Sequence, residues 1–238
     1  MRLIPIRGAL ASTWRGTSDC RHCAVREMAL FADLNEADFD HIHAPIDDLD
    51  YQAGAELTQE GGAANGLFTV RLGMVKLVRT TNDGRERIVR VMRQGDVIGL
   101  EALVQGKYET TAVALTALSA CRIPLEIVQN LATQSPRLHQ NLMKKWSHNQ
   151  KESEDWLADL NYGTARQRVA NFILKMRSNA DTQLSTLFNR EDMGAMLDLK
   201  METVSREVSY FVREGILEPL DKQGRAYRIL RQEGLTEA

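Results

Sequence analysis

Cysteine is scarce in this chain, with Cys20, Cys23 and Cys121 the only three among 238 residues. So small and odd a number excludes a disulfide-stapled scaffold, and cysteines kept reduced more often bind metal or react than cross-link. Prolines number five and apolar residues make up 43%, which excludes a disordered chain and leaves material for a packed core. No apolar run approaches the ~20 residues of a membrane span. The opening Met1-Arg2-Leu3-Ile4-Pro5-Ile6-Arg7 also lacks the apolar core of a secretory signal. The expectation is a cytoplasmic protein without a membrane partner. A basic excess is missing too: 30 Lys and Arg face 32 Asp and Glu, a net charge of -2. Residues 161–238 are near balance, with 12 basic against 11 acidic side chains. Between Glu27 and Val70 there is no Lys or Arg, against ten Asp and Glu. Any affinity for a polyanion must therefore come from locally placed cations rather than from an overall field.

Against these absences, residues 189–215 carry a dense pattern. Asn189 is placed to cap a short helix, with Asp192 reaching back at the third position, and Met193, Met196 and Leu197 form one apolar stripe. After Leu199 a longer helix is predicted, burying Val204, Val208, Phe211 and Val212 and ending at Gly215 in a left-handed conformation. Glu202, Ser205, Arg206 and Ser209 fall on its opposite face. A short helix, a tight turn and a longer helix make a helix-turn-helix. Arg206 can pair bidentately with guanine, Glu202 can accept from cytosine, and Ser205 can reach a base edge or phosphate, so double-stranded DNA is the expected partner. Lys200 and Ser209 lie beside them. Two short strands around Asp221-Lys222-Gln223-Gly224 would add a wing, with Lys222 and Arg225 at its tip for phosphates. The plainer alternative, three polar residues on an ordinary solvated face, is weakened by the capped helix before and the glycine after.

From about Leu49 to Ile127 the hydrophobic period shortens to two. Segments such as Leu67–Leu72, Met74–Arg79, Ile88–Met92 and Thr110–Leu115 alternate between Gly-containing turns, the pattern of a double-sheet β-roll or jelly roll. Near Ser135-Pro136 a helix is predicted to begin, with Ser135 as cap. Along it Leu142, Trp146, Asn149, Ser153, Trp156 and Leu160 step by 4, 3, 4, 3 and 4, the heptad spacing of a helix packed on a partner. That seam predicts a parallel homodimer reading a palindrome, with packing on the chain's own β-domain as the alternative. A further helix carries Ala165, Val169, Phe172, Ile173 and Met176. The whole is α+β: a sensor segment over 1–30, a cupin-like β-roll over 31–132, a dimerisation helix over 133–160 and a winged helix-turn-helix over 161–238. A cupin-like metalloenzyme is the rival of a different class. The five histidines, His22, His41, His43, His139 and His148, all lie outside Leu67–Ile123 and give it no ligand cluster, so no enzyme is expected.

A β-roll, a long helix and a winged helix in that order resemble the CRP/FNR family of bacterial transcription regulators, over nearly the whole chain. Glu202-Thr203-Val204-Ser205-Arg206 is similar to the E-T-[IV]-S-R reading motif of the family's FNR-type, oxygen-responsive branch. The resemblance implies that Glu202, Ser205 and Arg206 contact a TTGAT-type half-site, and that RNA polymerase is a partner. Gly95–Ala102 is similar to the β-roll loop of the family. Cyclic-nucleotide binders follow it with Arg-Ser or Arg-Thr, where this chain has Thr110-Thr111. Without that arginine a cyclic phosphate loses its charge-assisted fork, so no cyclic nucleotide is expected. Many relatives have glycine where Asp198 stands in the turn, a substitution that a φ > 0 position tolerates with some strain.

Cys20-Arg21-His22-Cys23 is a C-x-x-C pair, able to share a metal or cluster or to cycle as a dithiol. By the resemblance, Cys20, Cys23 and Cys121 match three of the four ligands of a cubane iron–sulfur cluster, while the fourth place falls on Ala29, which cannot bind iron. Three readings stay open: a cluster completed by Asp19, His22, Glu27, Asp33 or solvent; thiols acting alone in redox or zinc chemistry; and cysteines without a role. The function implied is a homodimeric, DNA-binding regulator responding to oxygen or redox state. A constitutive, haem-dependent or nitric-oxide-responsive regulator on the same scaffold is the alternative.

Overall fold

The computed structural model describes residues 13–238 except Arg21, Ala24, Val25, His43, Asp83, Arg85, Asn179 and Ala180. Part of the Cys20–Cys23 loop and the wider turn at Asp83 thus lie outside the described residues. The chain divides into two units, residues 1–85 with 89–150, and residues 86–88 with 151–238.

The strands of the first unit are β1 (Thr13–Thr17), β2 (Asp47–Tyr51), β3 (Glu56–Thr58), β4 (Leu67–Leu72), β5 (Val75–Thr80), most of β6 (Glu86–Met92), β7 (Val97–Ile98), β8 (Thr111–Ala114) and β9 (Leu118–Ile123). They form two antiparallel sheets, ordered β1-β2-β9-β4-β7 and β3-β8-β5-β6. Short helices α1 (Glu36–Phe39) and α2 (Ala102–Gln105) lie in the connections. Phe68, Val70, Met92, Ile98, Ala112 and Ala120 fill the space between the sheets. A second core lies on the other face of the five-stranded sheet, where Leu67, Cys121 and Ile123 meet Leu30, Phe31, Ile127, Leu131, Leu138 and Leu142. Strands buried on both faces lose the clean in-out alternation, which is why Leu67, Phe68, Thr69 and Val70 of β4 are buried in succession. Gly73 turns β4 into β5 at φ 93°, where a Cβ would lie 2.4 Å from the Ala117 carbonyl.

Helix forms earlier than the sequence pattern suggested. α3 (Leu125–Gln134) follows β9 directly, buries Ile127, Val128 and Leu131, and ends just before Ser135. Its apolar residues continue the strand-like run, so period alone did not separate them. α4 (Pro136–Leu160) then begins with the Ser135 hydroxyl accepting from the Leu138 amide.

The second unit holds the C-terminal part of α4 with α5 (Ala165–Lys175), β10 (Leu184–Thr186), α6 (Arg190–Leu197), α7 (Met201–Arg213), β11 (Leu217–Pro219), β12 (Ala226–Ile229) and α8 (Glu233–Thr236). Val169, Phe172 and Ile173 of α5 are fully buried behind α6 and α7 residues Met193, Leu197, Val204 and Phe211. The wing is a three-stranded sheet, β10-β12-β11. β10 was not foreseen, because three residues are too few to show alternation.

Candidate functional site

Two sites emerge, a helix face in the second unit and a cysteine-bearing sheet face in the first. At the start of α6, the Asn189 side chain accepts from the Asp192 amide at 2.7 Å. Asp192 does not return the bond to the backbone; its carboxylate takes the Asn189 amide group at 2.8 Å, so the box closes between side chains. Asp198 ends α6 in the left-handed region, at φ 53° and ψ 46°. Gly194 lets the turn close against the helix, since a Cβ there would stand 2.6 Å from the Leu199 carbonyl. Arg168 of α5 donates to the Leu197 carbonyl at 2.8 Å and pins the same corner.

Lys200 occupies the N-cap of α7, with no side-chain cap bond. Val204, Val208 and Phe211 are buried, while Val212 is only half-buried; Gly215 follows at φ 64°. Glu202, Arg206 and Ser209 are exposed and Ser205 half-exposed, on one face as expected. Ser205 and Ser209 line an open groove with Arg190, Arg213, Pro219 and Tyr227. Arg190 donates to the Tyr227 hydroxyl at 2.8 Å, which ties α6 to the wing. At the wing tip Lys222 and Arg225 are exposed. The Asp221 carboxylate accepts the Arg225 and Ala226 amides, both at 2.9 Å, and these bonds hold its carboxyl below the usual range.

A residue the sequence pattern did not single out is buried on the same helix. Glu207 is 6% exposed, and its carboxylate takes Arg166 Nε of α5 at 3.0 Å and Arg206 Nε at 3.3 Å. The Arg166 guanidinium lies 3.7 Å from the Tyr210 ring centroid. Glu207 falls within the buried stripe, where an acid is unusual without a partner. That misfit was the signal available in the sequence.

On the outer face of the five-stranded sheet, Cys121 sits within β9 rather than at its end, directly opposite Asp48 of β2 and Thr69 of β4. β1 pairs with β2 through Thr17 and Asp47, so Cys20 leaves the sheet at the end where Cys121 and Asp48 lie. Cys20 packs against the same core as Cys121. Burial, and the neighbouring thiols Cys121 and Cys23, push Cys20 up to about 12. Burial, and next Cys23, push Cys121 up to about 11. The three cysteines are therefore brought together as free thiols, with Cys20 and Cys121 held protonated at neutral pH by burial. Among the described residues, no three His, Cys, Asp or Glu side chains are gathered tightly enough for a single metal ion. A cluster spreads its ligands over several irons, and this looser donor set suits it better. Around it, Ser18 Oγ, Asp48 Oδ1 and Thr69 Oγ1 are buried without a hydrogen-bond partner among the described residues.

Ala29 lines a polar cleft with Met28, Gly95 and Lys145 and offers no donor. Of the proposed fourth ligands, Asp33 is taken by Lys144 at 2.9 Å, and Asp19 by the His22 ring at 2.8 Å. α4 grips this segment along its length: Arg137 meets Asp38 at 2.9 Å, and the Asn141 side chain donates to the Leu30 carbonyl at 2.6 Å.

Comparison with known proteins agrees with this architecture. Residues 48–135 match the cyclic nucleotide-binding domain and residues 167–238 the Crp-like helix-turn-helix domain. The chain belongs to the CRP/FNR family. Among curated relatives, the fumarate and nitrate reduction regulatory protein of Vibrio cholerae is 28% identical over 205 residues, covering 83% of this chain and 82% of the relative. The transcriptional activator protein FnrA of Stutzerimonas stutzeri is 29% identical over 227 residues, covering 91% and 90%. FixK2 from Bradyrhizobium japonicum superposes with a TM-score of 0.72 at 26% identity, over 82% of this chain and 97% of that one. The chain is thus a DNA-binding transcription regulator and not an enzyme. No helix among the described residues is long and apolar enough to cross a membrane.

The heptad seam read from this CRP/FNR chain does not form one open stripe. Leu142 lies in the outer core of the first unit. Trp156 and Leu160 are 4% and 1% exposed, and Trp156 donates to Glu152 at 3.1 Å beneath Lys175. Asn149 accepts from Arg90 of β6 at 2.7 Å, so it does not set register with a partner. Trp146 and Ser153 are exposed, and the exposed apolar neighbours are Met143 and Leu157. The physical reason is that heptad spacing marks packing without saying on what; here three positions of the stripe pack on the chain itself.

Proposed function

We propose that this CRP/FNR protein is a homodimer that reads a palindromic TTGAT-type site with α7 and answers oxygen or redox state through an iron–sulfur cluster, acting with RNA polymerase. The observation that carries the reading is an exposed Glu202, Ser205 and Arg206 face in a chain that also gathers Cys20, Cys23 and Cys121. Lys200, Ser209, Lys222 and Arg225 flank the face as phosphate contacts. Cys20, Cys23 and Cys121 would hold the cluster, losing their protons on ligation. The cluster supplies a link that oxygen can break. The segment after Cys23 is tied to α4 through Leu30, Asp33 and Asp38, so ordering it bears on the helix. In the dimer, the α4 face of Met143, Trp146, Ser153 and Leu157 meets its counterpart, which places two reading helices on one palindrome.

A cyclic nucleotide is not the effector in this reading. The Thr110 carbonyl and Thr111 hydroxyl are engaged by Thr58 at 3.2 Å and the Glu60 amide at 3.0 Å, and neither residue brings the cation a cyclic phosphate needs.

The test is binding of the anaerobic, reconstituted protein to matched and scrambled palindromes. Arg206→Ala is expected to cost about 1–3 kcal/mol on the matched site and to blur preference at the guanine of each half-site. Equal loss on both sequences refutes the assignment. Anaerobic material without iron or sulfide after reconstitution refutes the cluster and leaves the DNA reading standing.

A further inference from the structure

The fourth place of the cysteine site has an answer in the sheet rather than in the loop. Asp48 stands directly opposite Cys121, and directly paired residues on neighbouring strands project to the same face. Thr69, on the other side of Cys121, shares that face, and Arg71, the bulged residue between Val70 and Leu72 of β4, reaches it through its side chain. One Asp48 oxygen, Oδ2, is paired with the Arg71 guanidinium. The other, Oδ1, is buried with no hydrogen-bond partner among the described residues. Orphaned buried acceptors are rare in folded proteins, because each forfeits its hydration without return. One that persists beside three thiols is accounted for if it is an iron ligand.

We infer that Asp48 Oδ1 is the fourth protein ligand of the cluster held by Cys20, Cys23 and Cys121. This rests on the cluster reading above and adds to it the missing donor. Carboxylate oxygen is a competent ligand for iron, and ligating carboxylates are themselves held by a second partner. Arg71 fills that second role through Oδ2, and its charge offsets the thiolates formed when three thiol protons leave on ligation. Asp48 is on a strand paired on both sides, to β1 and β9, whereas Asp19 and Asp33 are on connecting segments and bound elsewhere. A donor fixed by two ladders is better preorganised than one on a loop.

The experiment reconstitutes the full-length wild type, Asp48→Ala, Asp48→Asn, Asp48→Cys and Cys121→Ser anaerobically with ferrous iron and sulfide. Iron and acid-labile sulfide per chain are measured, together with iron-57 Mössbauer spectra, and melting of the iron-free proteins checks that each variant folds. Asp48→Ala and Asp48→Asn are expected to bind iron at least about tenfold more weakly, as loss of a ligand shell group does. Asp48→Cys is expected to load fully. The wild-type spectrum should contain one iron site distinct from the rest, which Asp48→Cys makes equivalent. Folded Asp48→Ala that loads like the wild type, or a distinct iron that survives in Asp48→Cys, overturns Asp48 as ligand while the cluster stands. Failure of both wild type and Asp48→Cys to load overturns the cluster reading and this inference together.

Discussion

The Arg166–Glu207–Arg206 arrangement predicts an asymmetry that can be measured. Glu207 is 6% exposed, the Arg166 side chain 41% and the Arg206 side chain 71%. Breaking a buried ion pair by deleting one partner costs about 3–5 kcal/mol when both ends are dry, because an uncompensated charge stays behind. Here the deleted partner is two-fifths exposed and Arg206 can still donate, so Arg166→Ala should cost less than that dry-pair figure while still loosening α7. The loss includes the stacking of Arg166 on Tyr210. Replacing the acid itself is different. Glu207→Leu removes the buried charge and leaves two arginines that water can reach, so it should fall within about 1 kcal/mol of the wild type. Hydrogen exchange of the α7 amides reads this locally, without assuming that the two units unfold together. Unchanged α7 protection in Arg166→Ala, or a larger loss in Glu207→Leu than in Arg166→Ala, refutes the reasoning.

Trp146→Glu and Leu157→Glu should convert a dimer to monomers and lose operator binding together, since each puts a charge into the proposed interface; unaltered sedimentation would place the interface elsewhere. Cys20 and Cys121 should alkylate more slowly at pH 8 in iron-free folded protein than in the denatured chain, because burial keeps them protonated, as mass spectrometry of the labelled peptides would show. The same raised values mean that their contribution to stability is complete below about pH 9, where unfolded thiols ionise, and is lost as pH rises toward about 12. Melting in that window should therefore fall less steeply in Cys121→Ser. Lys222→Ala should weaken binding to all sequences alike and lower the slope of log affinity against log salt by up to about one.

The reading helix was legible in the sequence because its determinants are local. Asn189, Gly215 and the 3-4 stripe of Met193, Met196 and Leu197 each act within a few residues, and the positive φ of Asp198 follows from a turn too tight for other conformations. The β-roll was legible as a period of two, but not its short strands β1 and β3, nor β10 of the wing, nor α3, whose apolar residues continue the run before it. The long helix was read with the right extent and the wrong partner for Leu142, Trp156 and Leu160. Periodicity shows that a face is buried, and only tertiary packing decides against what. The same limit applies to charge. Along the chain Glu207 is only a misfit in a buried stripe and Asp48 looks like a surface acid, yet folding puts Arg166 of another helix beside one, and Cys121 and Arg71 of other strands beside the other. Sequence spacing fixes neighbours along a helix or strand; it carries no record of which strands lie side by side, and that adjacency is what turns Asp48 from an acid into a candidate ligand.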